Sequence, residues 1–191
     1  MVDIKELFTP FPVLESERLI LRRLFDSDAE DIFEYASDPE ITKYVTWEYH
    51  KSIDDTHTWL KTSLAQYENI EHSFNWGIIL KQTNKLLGTI GLYNLNETHS
   101  KVEMGYVMSK LSWNKGYTTE AVCAVLKFAF ENMNLNRIFA QCEPANTGSA
   151  RVLEKAGMTF EGILRNNMFL KGSYRDHKVY SILRKEYPVR D

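Results

Sequence analysis

The segment LSWNKGYTTEAV, residues 111–122, places a single glycine in an amide-rich turn just ahead of an apolar helix pattern. Gly116 can adopt backbone angles closed to other residues, and its missing side chain lets a ligand approach the main chain. The amides that open the following helix have no internal acceptors, and when they converge they make a concave anion site aided by the helix dipole. A plain strand-to-helix turn has the same composition, so the turn alone leaves both readings open. It is not a Walker sequence, which needs more glycine and a Lys-Ser/Thr ending, and it lacks the three-glycine spacing of a dinucleotide fingerprint. Upstream, Glu103 lies within the apolar strand pattern KVEMGYVM. A carboxylate among apolar neighbours is a general-base candidate, either through desolvation or by working through a water; a salt-bridged or solvated glutamate is the alternative. Strand parity groups Glu103 with Gly105 and Val107, opposite Met104 and Tyr106 unless a bulge intervenes.

The remaining reactive residue types are scattered. Cys123 and Cys142 have no adjacent base in the sequence, so both read as small buried hydrophobes and a covalent cysteine route is disfavoured. His50, His57, His72, His99 and His177 contain no pair at metal-ligand spacing, and two cysteines make no zinc site, so no metal is expected. Asn146 and Ser149 fall at the start of a helix pattern, ANTGSARVLEKAG, where either can cap it. Asn146 carries both a carbonyl and an amide, so capping leaves it able to bind a second partner.

These side chains need a frame. RLILRRL, residues 18–24, has the partial alternation of a strand. SDAEDIFEYA follows as a helix, with Ser27 and Glu30 at capping-box spacing and Asp38-Pro39 marking its end. A second helix runs from about Ile53 to Tyr67, capped by Ser52 and Asp55. Phe74–Leu80, Leu86–Leu95 and Lys101–Met108 have short polar connections that favour antiparallel hairpins. A helix from about Thr118 to Met133, a strand over Arg137–Cys142, a helix from Thr147 to Lys155 stopped by Gly157, and a terminal hairpin complete the order. No repeat or linker divides the pattern, so residues 1–191 read as one mixed α/β (α+β) domain with a short N-terminal arm over 1–16.

Composition narrows the function classes. A chain of 191 residues, 43% hydrophobic and 26% charged, is long enough for one well-buried core. The net charge of -3 gives no support to a general nucleic-acid binder. No apolar run approaches the length of a membrane span, and the start lacks the pattern of a secretory leader, so a cytoplasmic protein without membrane contact is expected. The aromatics of EITKYVTWEYHK, residues 40–51, fit either loop anchors in the core or the lining of a substrate cleft.

Taken together and in order, KVEMGYVM, WNKGYT, ANTGSARVLEKAGM and EGILRNNMFLKGSYRDHKVYSIL resemble the GCN5-related N-acetyltransferases (GNAT), within them the RimJ/RimL-like branch that includes ribosomal-protein N-terminal acetyltransferases. The resemblance runs from ESERLILRRL to RDHKVYSILRKEY and implies a GNAT-like acyl-CoA N-acyltransferase fold, with a central, mostly antiparallel twisted sheet flanked by helices. It implies acetyl-CoA as donor and direct transfer to an amine. The family binds the acetyl-CoA pyrophosphate through a Gln/Arg-x-x-Gly-x-Gly/Ala pattern, matched here by Trp113, Gly116 and Thr118, with Asn114, Lys115 and Tyr117 between them. Asn114 stands where glycine is frequent and Thr118 where glycine or alanine is usual, but neither exchange removes a backbone amide. In the strand KVEMGYVM the resemblance implies a bulge that opens the sheet, with Met104, Gly105 and Tyr106 against acetyl-CoA.

The same resemblance implies Glu103 as general base, Ser149 as proton donor on the thiol side, and Asn146 as a contact to the pantetheine arm. Tyrosine, used in that helix by many relatives, is absent between Pro144 and Gly157. The implied acceptor is the α-amino group of a protein or peptide N-terminus, ribosomal proteins included. Small amines, polyamines and antibiotics are acceptors for other members of the fold, and a non-catalytic CoA-binding domain is a further alternative. Tyr44, Trp47, Tyr49 and Trp76 are candidate walls of the acceptor cleft, Asn167 and Tyr174 its border, and Glu48 an acidic rim. A monomer or homodimer is expected.

Overall fold

The computed structural model describes residues 2–68 and 73–187, so His72 lies outside the described residues. Strands from along the whole of the described chain build one eight-stranded sheet. Its strands are β1 (Leu14–Glu15), β2 (Leu19–Arg22), β3 (Phe74–Leu80), β4 (Lys85–Asn96), β5 (Lys101–Met108), β6 (Arg137–Cys142), β7 (Thr159–Leu170) and β8 (Ser173–Leu183). They lie in the order β1-β2-β3-β4-β5-β6-β8-β7. Every neighbouring pair is antiparallel except β5 and β6. A parallel pair needs a crossover, and the helix between these two strands supplies it.

Among the described residues six α-helices flank the sheet: α1 (Ile4–Leu7), α2 (Ala29–Ala36), α3 (Pro39–Thr42), α4 (Ile53–Gln66), α5 (Tyr117–Glu131) and α6 (Thr147–Lys155). One core joins Val102, Met104, Ile138, Ala140 and Cys142 of the strands to Val122, Val125 and Ala129 of α5 and Ala150 and Leu153 of α6. A smaller core on α2 and α4 joins Ile32, Tyr35 and Leu60 to Ile79 and Leu86. The α4 cap is the expected one, with Asp55 accepting from the Ser52 amide at 3.0 Å. The α2 cap is not. Asp28, rather than the Ser27–Glu30 pair, accepts from the Phe25 amide at 2.8 Å and from both terminal nitrogens of Arg22 at 2.8 Å. Buried Asp28 thereby ties the helix start to β2, a contact between segments that local spacing does not encode.

The N-terminal arm is part of the core. Phe8 is buried, stacks on Phe74 with ring centroids 4.0 Å apart, and meets Phe128 edge-on at 5.6 Å. Trp76, expected from the sequence to wall the acceptor cleft, is instead fully buried beneath this arm. Its indole N–H donates to the Pro12 carbonyl at 2.9 Å. Cys123, expected to be buried, is exposed on α5, while Cys142 is buried as anticipated.

The sheet opens in an unexpected way. Along β5 the pairing with β4 runs unbroken from Glu103, opposite Tyr93, to Met108, opposite Gly88. The register shift expected in β5 lies in β4 instead, between Tyr93 and Asn96, where Asn94 takes a left-handed φ of 55°. On its other side β5 meets β6 over three residue pairs only, Lys101 with Arg137, Val102 with Ile138 and Glu103 with Phe139. Beyond Glu103 that edge of β5 has no strand partner among the described residues. Replacing Phe8 by Ala should cost about 3–5 kcal/mol through the cavity left between sheet and α5. Denaturant unfolding of the two proteins would measure it, and a loss below ~1 kcal/mol would show the arm to be peripheral.

Candidate active site

The unpaired edge of β5 forms one wall of a cleft of about 510 Å³. Tyr106, Val107 and Met108 come from the strand, Gly116, Thr118 and Thr119 from the start of α5, and Asn146 and Ser149 from the start of α6. Two helix N-termini thus open on one concavity. Gly116 is the residue before α5 and has a left-handed φ of 81°, which a side chain would strain. Asn114 two residues earlier is also left-handed, at φ 59°. Asparagine tolerates this region, so its stand-in for the family's glycine keeps the turn. The first intrahelical bond of α5 is Glu120 N–H to the Gly116 carbonyl, at 3.0 Å. The amides of Tyr117, Thr118 and Thr119 therefore have no acceptor within the helix. Trp113 braces the turn by donating from its indole nitrogen to the Met108 carbonyl at 2.9 Å.

Arg18, which motif reasoning passed over, holds this turn from behind. Its Nε and Nη2 reach the Glu120 carboxylate at 2.7 and 2.6 Å, and its Nη1 donates to the Lys115 carbonyl at 3.0 Å. The guanidinium lies 4.6 Å from the centre of the Tyr117 ring. Ser16 Oγ and the Arg18 amide donate to Glu120 as well, at 2.8 and 2.7 Å. Burial opposes charge on Glu120, but these hydrogen bonds outweigh it and hold the carboxyl below its ordinary pKa. The Lys115 carbonyl is thus tied to Arg18, and Tyr117 packs under Arg18 and against the core. Neither Lys115 nor Tyr117 is among the cleft-lining residues, unlike Trp113, Asn114, Gly116 and Thr118.

Three cations on the cleft, Lys43, Arg151 and Lys155, were also missed. Arg151 and Lys155 had a readable signal, since an i, i+4 pair on α6 shares one helix face. Lys43 lies beyond α3 and reaches the cleft only through the tertiary fold. Tyr44 lines the cleft, Trp47 packs on the smaller core, and Tyr49 and Glu48 are exposed.

The two expected catalytic residues flank the opening from opposite faces of the sheet. Asn146 caps α6 by accepting from the Ser149 amide at 3.1 Å. Ser149 Oγ sits 2.9 Å from the Tyr106 hydroxyl, which also donates to the Ser149 carbonyl at 3.2 Å. Burial pushes the Tyr106 phenol well above its ordinary range, so it stays protonated beside Ser149. The tyrosine absent from α6 is supplied by β5. Tyr106 shares strand parity with core-facing Met104, whereas Glu103 points to the other face. There Glu103 accepts from Asn94 Nδ2 at 3.0 Å and from Gln141 Nε2 at 3.2 Å. Gly105 lies under the Tyr93 ring, and Met104 is a core residue, so those two present only main chain to the opening. Cys142 lies near Ser149, and burial pushes its thiol pKa up. Among the described residues no group of histidine, cysteine and acidic side chains is arranged to hold a metal ion. Nor is any described helix long and apolar enough to cross a membrane.

A split sheet with free helix-start amides beside the split, and a second helix start across it, is an arrangement that suits an acyl-CoA-dependent transferase. The comparisons with known proteins agree. Residues 18–159 match the acetyltransferase (GNAT) domain family, and the chain belongs to that family. It is similar to the Bacillus subtilis N-acetyltransferase YoaA, at 37% identity over 174 residues that cover 91% of this chain and 98% of YoaA. The crystal structure of a GNAT-family acetyltransferase from Bacillus anthracis superposes with a TM-score of 0.81 at 33% identity, covering 91% of this chain and 99% of that one. YdaF of Bacillus subtilis, whose name proposes a ribosomal N-acetyltransferase, is 28% identical over 176 residues, 90% of this chain and 94% of its own. The protein is an acetyl-CoA-dependent N-acetyltransferase.

Replacing Arg18 by Met should weaken CoA binding about tenfold by freeing the turn, with little effect on S-acetylpantetheine, which lacks the pyrophosphate. Calorimetric titration with both ligands checks this, and equal loss for the two would place the effect elsewhere. Because the Glu120 pKa is depressed in the fold, its stabilising contribution is complete above the unfolded-chain value and is lost as pH falls through the folded one. Melting temperatures of wild type and Glu120→Gln should therefore converge on acidification.

Proposed function

We propose that the protein acetylates the α-amino group of a polypeptide N-terminus, as in the RimJ/RimL-like branch. The observation that carries the chemistry is the placement of Glu103 on one face of the β5–β6 opening and of the Tyr106–Ser149 pair on the other. Acetyl-CoA supplies a thioester already reactive toward amines. The N-terminal amides of α5 receive its pyrophosphate, with Gly116 letting the main chain approach, and Asn146 faces the pantetheine arm. Glu103 takes a proton from the arriving ammonium, directly or through one water. Every second amide on the free edge of β5 beyond Glu103 is available to the carbonyl oxygen, where charge develops. As the C–N bond forms and the C–S bond breaks, the nitrogen sheds its second proton to water; Ser149, backed by the Tyr106 hydroxyl, passes a proton to the departing sulphur and is reprotonated from that water.

A polypeptide acceptor is supported by the Glu103 face. A second depression of about 440 Å³ lies beside it, lined by Lys101, Phe139, Gln141, Ile163 and Leu164 with the Arg137–Glu161 pair. Glu161 is occupied by Arg137 and Ser181, and its carboxyl is held down to about 2, with the Arg137 hydrogen bond as the leading cause. Glu103, held by amides, is the acidic group of that face nearest the opening. One such carboxylate suits a single terminal ammonium better than a polyamine. The β7–β8 tip beyond exposes Phe169 and Tyr174, a surface that extended chain can cover.

Glu103→Gln should lower kcat by roughly 10²–10³ with acetyl-CoA binding unchanged, and Tyr106→Phe or Ser149→Ala by about tenfold. Steady-state kinetics with a CoA titration would show it, and wild-type turnover in Glu103→Gln would end the base role. The acceptor is tested with a panel of N-terminal peptides, spermidine and Nα-blocked lysine. Transfer to peptides bearing a free α-amine is the expected result, and preference for spermidine or the blocked lysine would overturn it.

A further inference from the structure

Two backbone irregularities lie on either side of the opening; one sends an amide onto the Glu103 carboxylate, and the other sends an amide onto the glutamine that donates to it. In β4 the register shift at Asn94 turns its side chain onto Glu103 Oε2 at 3.0 Å. In β7 the shift between Leu164 and Met168 leaves three residues opposite one of β8, with Asn166 left-handed at φ 47° and its amide held by Asp176 Oδ1 at 2.8 Å. That bulge carries Asn167 toward β6, where Nδ2 donates to Gln141 Oε1 at 2.7 Å. Gln141 Nε2 in turn donates to Glu103 Oε1 at 3.2 Å. A bulge re-aims a side chain at the cost of ladder pairing, and here one bulge is aimed at Glu103 and the other at the glutamine that donates to it.

We propose that Asn94 and Gln141, the latter oriented by Asn167, are positioning residues that hold the Glu103 carboxylate in a fixed orientation toward the acceptor ammonium. The proposal rests on the base role given to Glu103 above. Neutral amides stabilise the charged form without cancelling its field, which a lysine or arginine at the same distance would do. Each carboxylate oxygen accepts one amide bond and keeps a lone pair for the incoming N–H or a bridging water. Asn167 belongs to the terminal hairpin, so the chain Asn167–Gln141–Glu103 also connects the rim of the acceptor side to the base. The other charged or titratable groups facing Glu103 are Tyr93 on β4, Lys101 on β5, and Arg137 on β6, which Glu161 holds; Tyr67 of α4 reaches Tyr93 through Asn75. The Tyr93 phenol is pushed up to about 12, burial being the main cause, and stays neutral across the working range.

The test uses the full chain with acetyl-CoA and the preferred peptide. Gln141→Leu and Asn94→Gly, the second keeping the left-handed backbone, should each lower kcat/KM for the acceptor roughly tenfold while leaving the acetyl-CoA KM unchanged. Losing a donor to the ionised form should also move the acidic limb of the pH profile to higher pH. Asn167→Ala, an exposed change that leaves both Glu103 bonds in place, should give a smaller shift in the same direction. In the Glu103→Gln background these substitutions should add no further loss. Folded variants with an unmoved acidic limb, or with losses that add fully in Glu103→Gln, would overturn the positioning role while leaving Glu103 as base. Full activity in Glu103→Gln alone would instead overturn the base role, and the positioning role with it.

Discussion

The parallel contact between β5 and β6 is three residues long, and the site depends on that shortness. A continuous parallel ladder would saturate the backbone of both strands and leave nowhere for a substrate to pass between the faces. Stopping the ladder after Glu103 leaves the far half of β5 with one neighbour, so every second amide along it is free. The cost of those unpaired groups is met by the site itself, which is open to water and ligand. Both sides of the break are anchored: β5 is paired to β4 up to Met108, and β6 is paired to β8 throughout, from Arg137 to Cys142. The opening is therefore a rigid slot between two well-supported half-sheets.

Charge is distributed across that slot by function. One side gathers helix N-termini and the cations Lys43, Arg151 and Lys155, an environment suited to a phosphorylated donor. On the other side Glu103 is hydrogen-bonded by neutral amides, with Arg137 nearby paired to Glu161 and Lys101 two residues along the strand. The two fields are separated by the thickness of the sheet, so each can be strong without neutralising the other. Arg18 would break this division if its charge faced the cleft freely, but Glu120 pairs with it and leaves its role geometric.

Much of the fold follows from local periodicity. β3, β5, β6 and α6 span the residues predicted for them, because alternation, helical spacing and the stop at Gly157 act within a few residues. The two-residue β1 and the four-residue α1 carry too little pattern to be seen. Trp76 illustrates the limit at the level of a single side chain. An aromatic on a strand fits a core or a cleft equally well, and only the arm folding back over it, with Pro12 receiving its indole N–H, decides between them.

By itself, the sequence determined most of the elements, the glycine-containing turn ahead of α5, and the types of residue available for chemistry. All of these are properties of contiguous chain. The tertiary structure alone decided where the sheet splits, that Tyr106 of β5 stands beside Ser149 of α6, and that Arg18 and Glu120 brace the turn from more than a hundred residues apart in the chain. It also moved the expected bulge from β5 to β4 and brought Asn94, Gln141 and Asn167 to Glu103. The physical reason is the same in each case. Backbone angles are set by neighbours in the chain, whereas strand order and register are chosen by burial and pairing between segments that no local pattern relates.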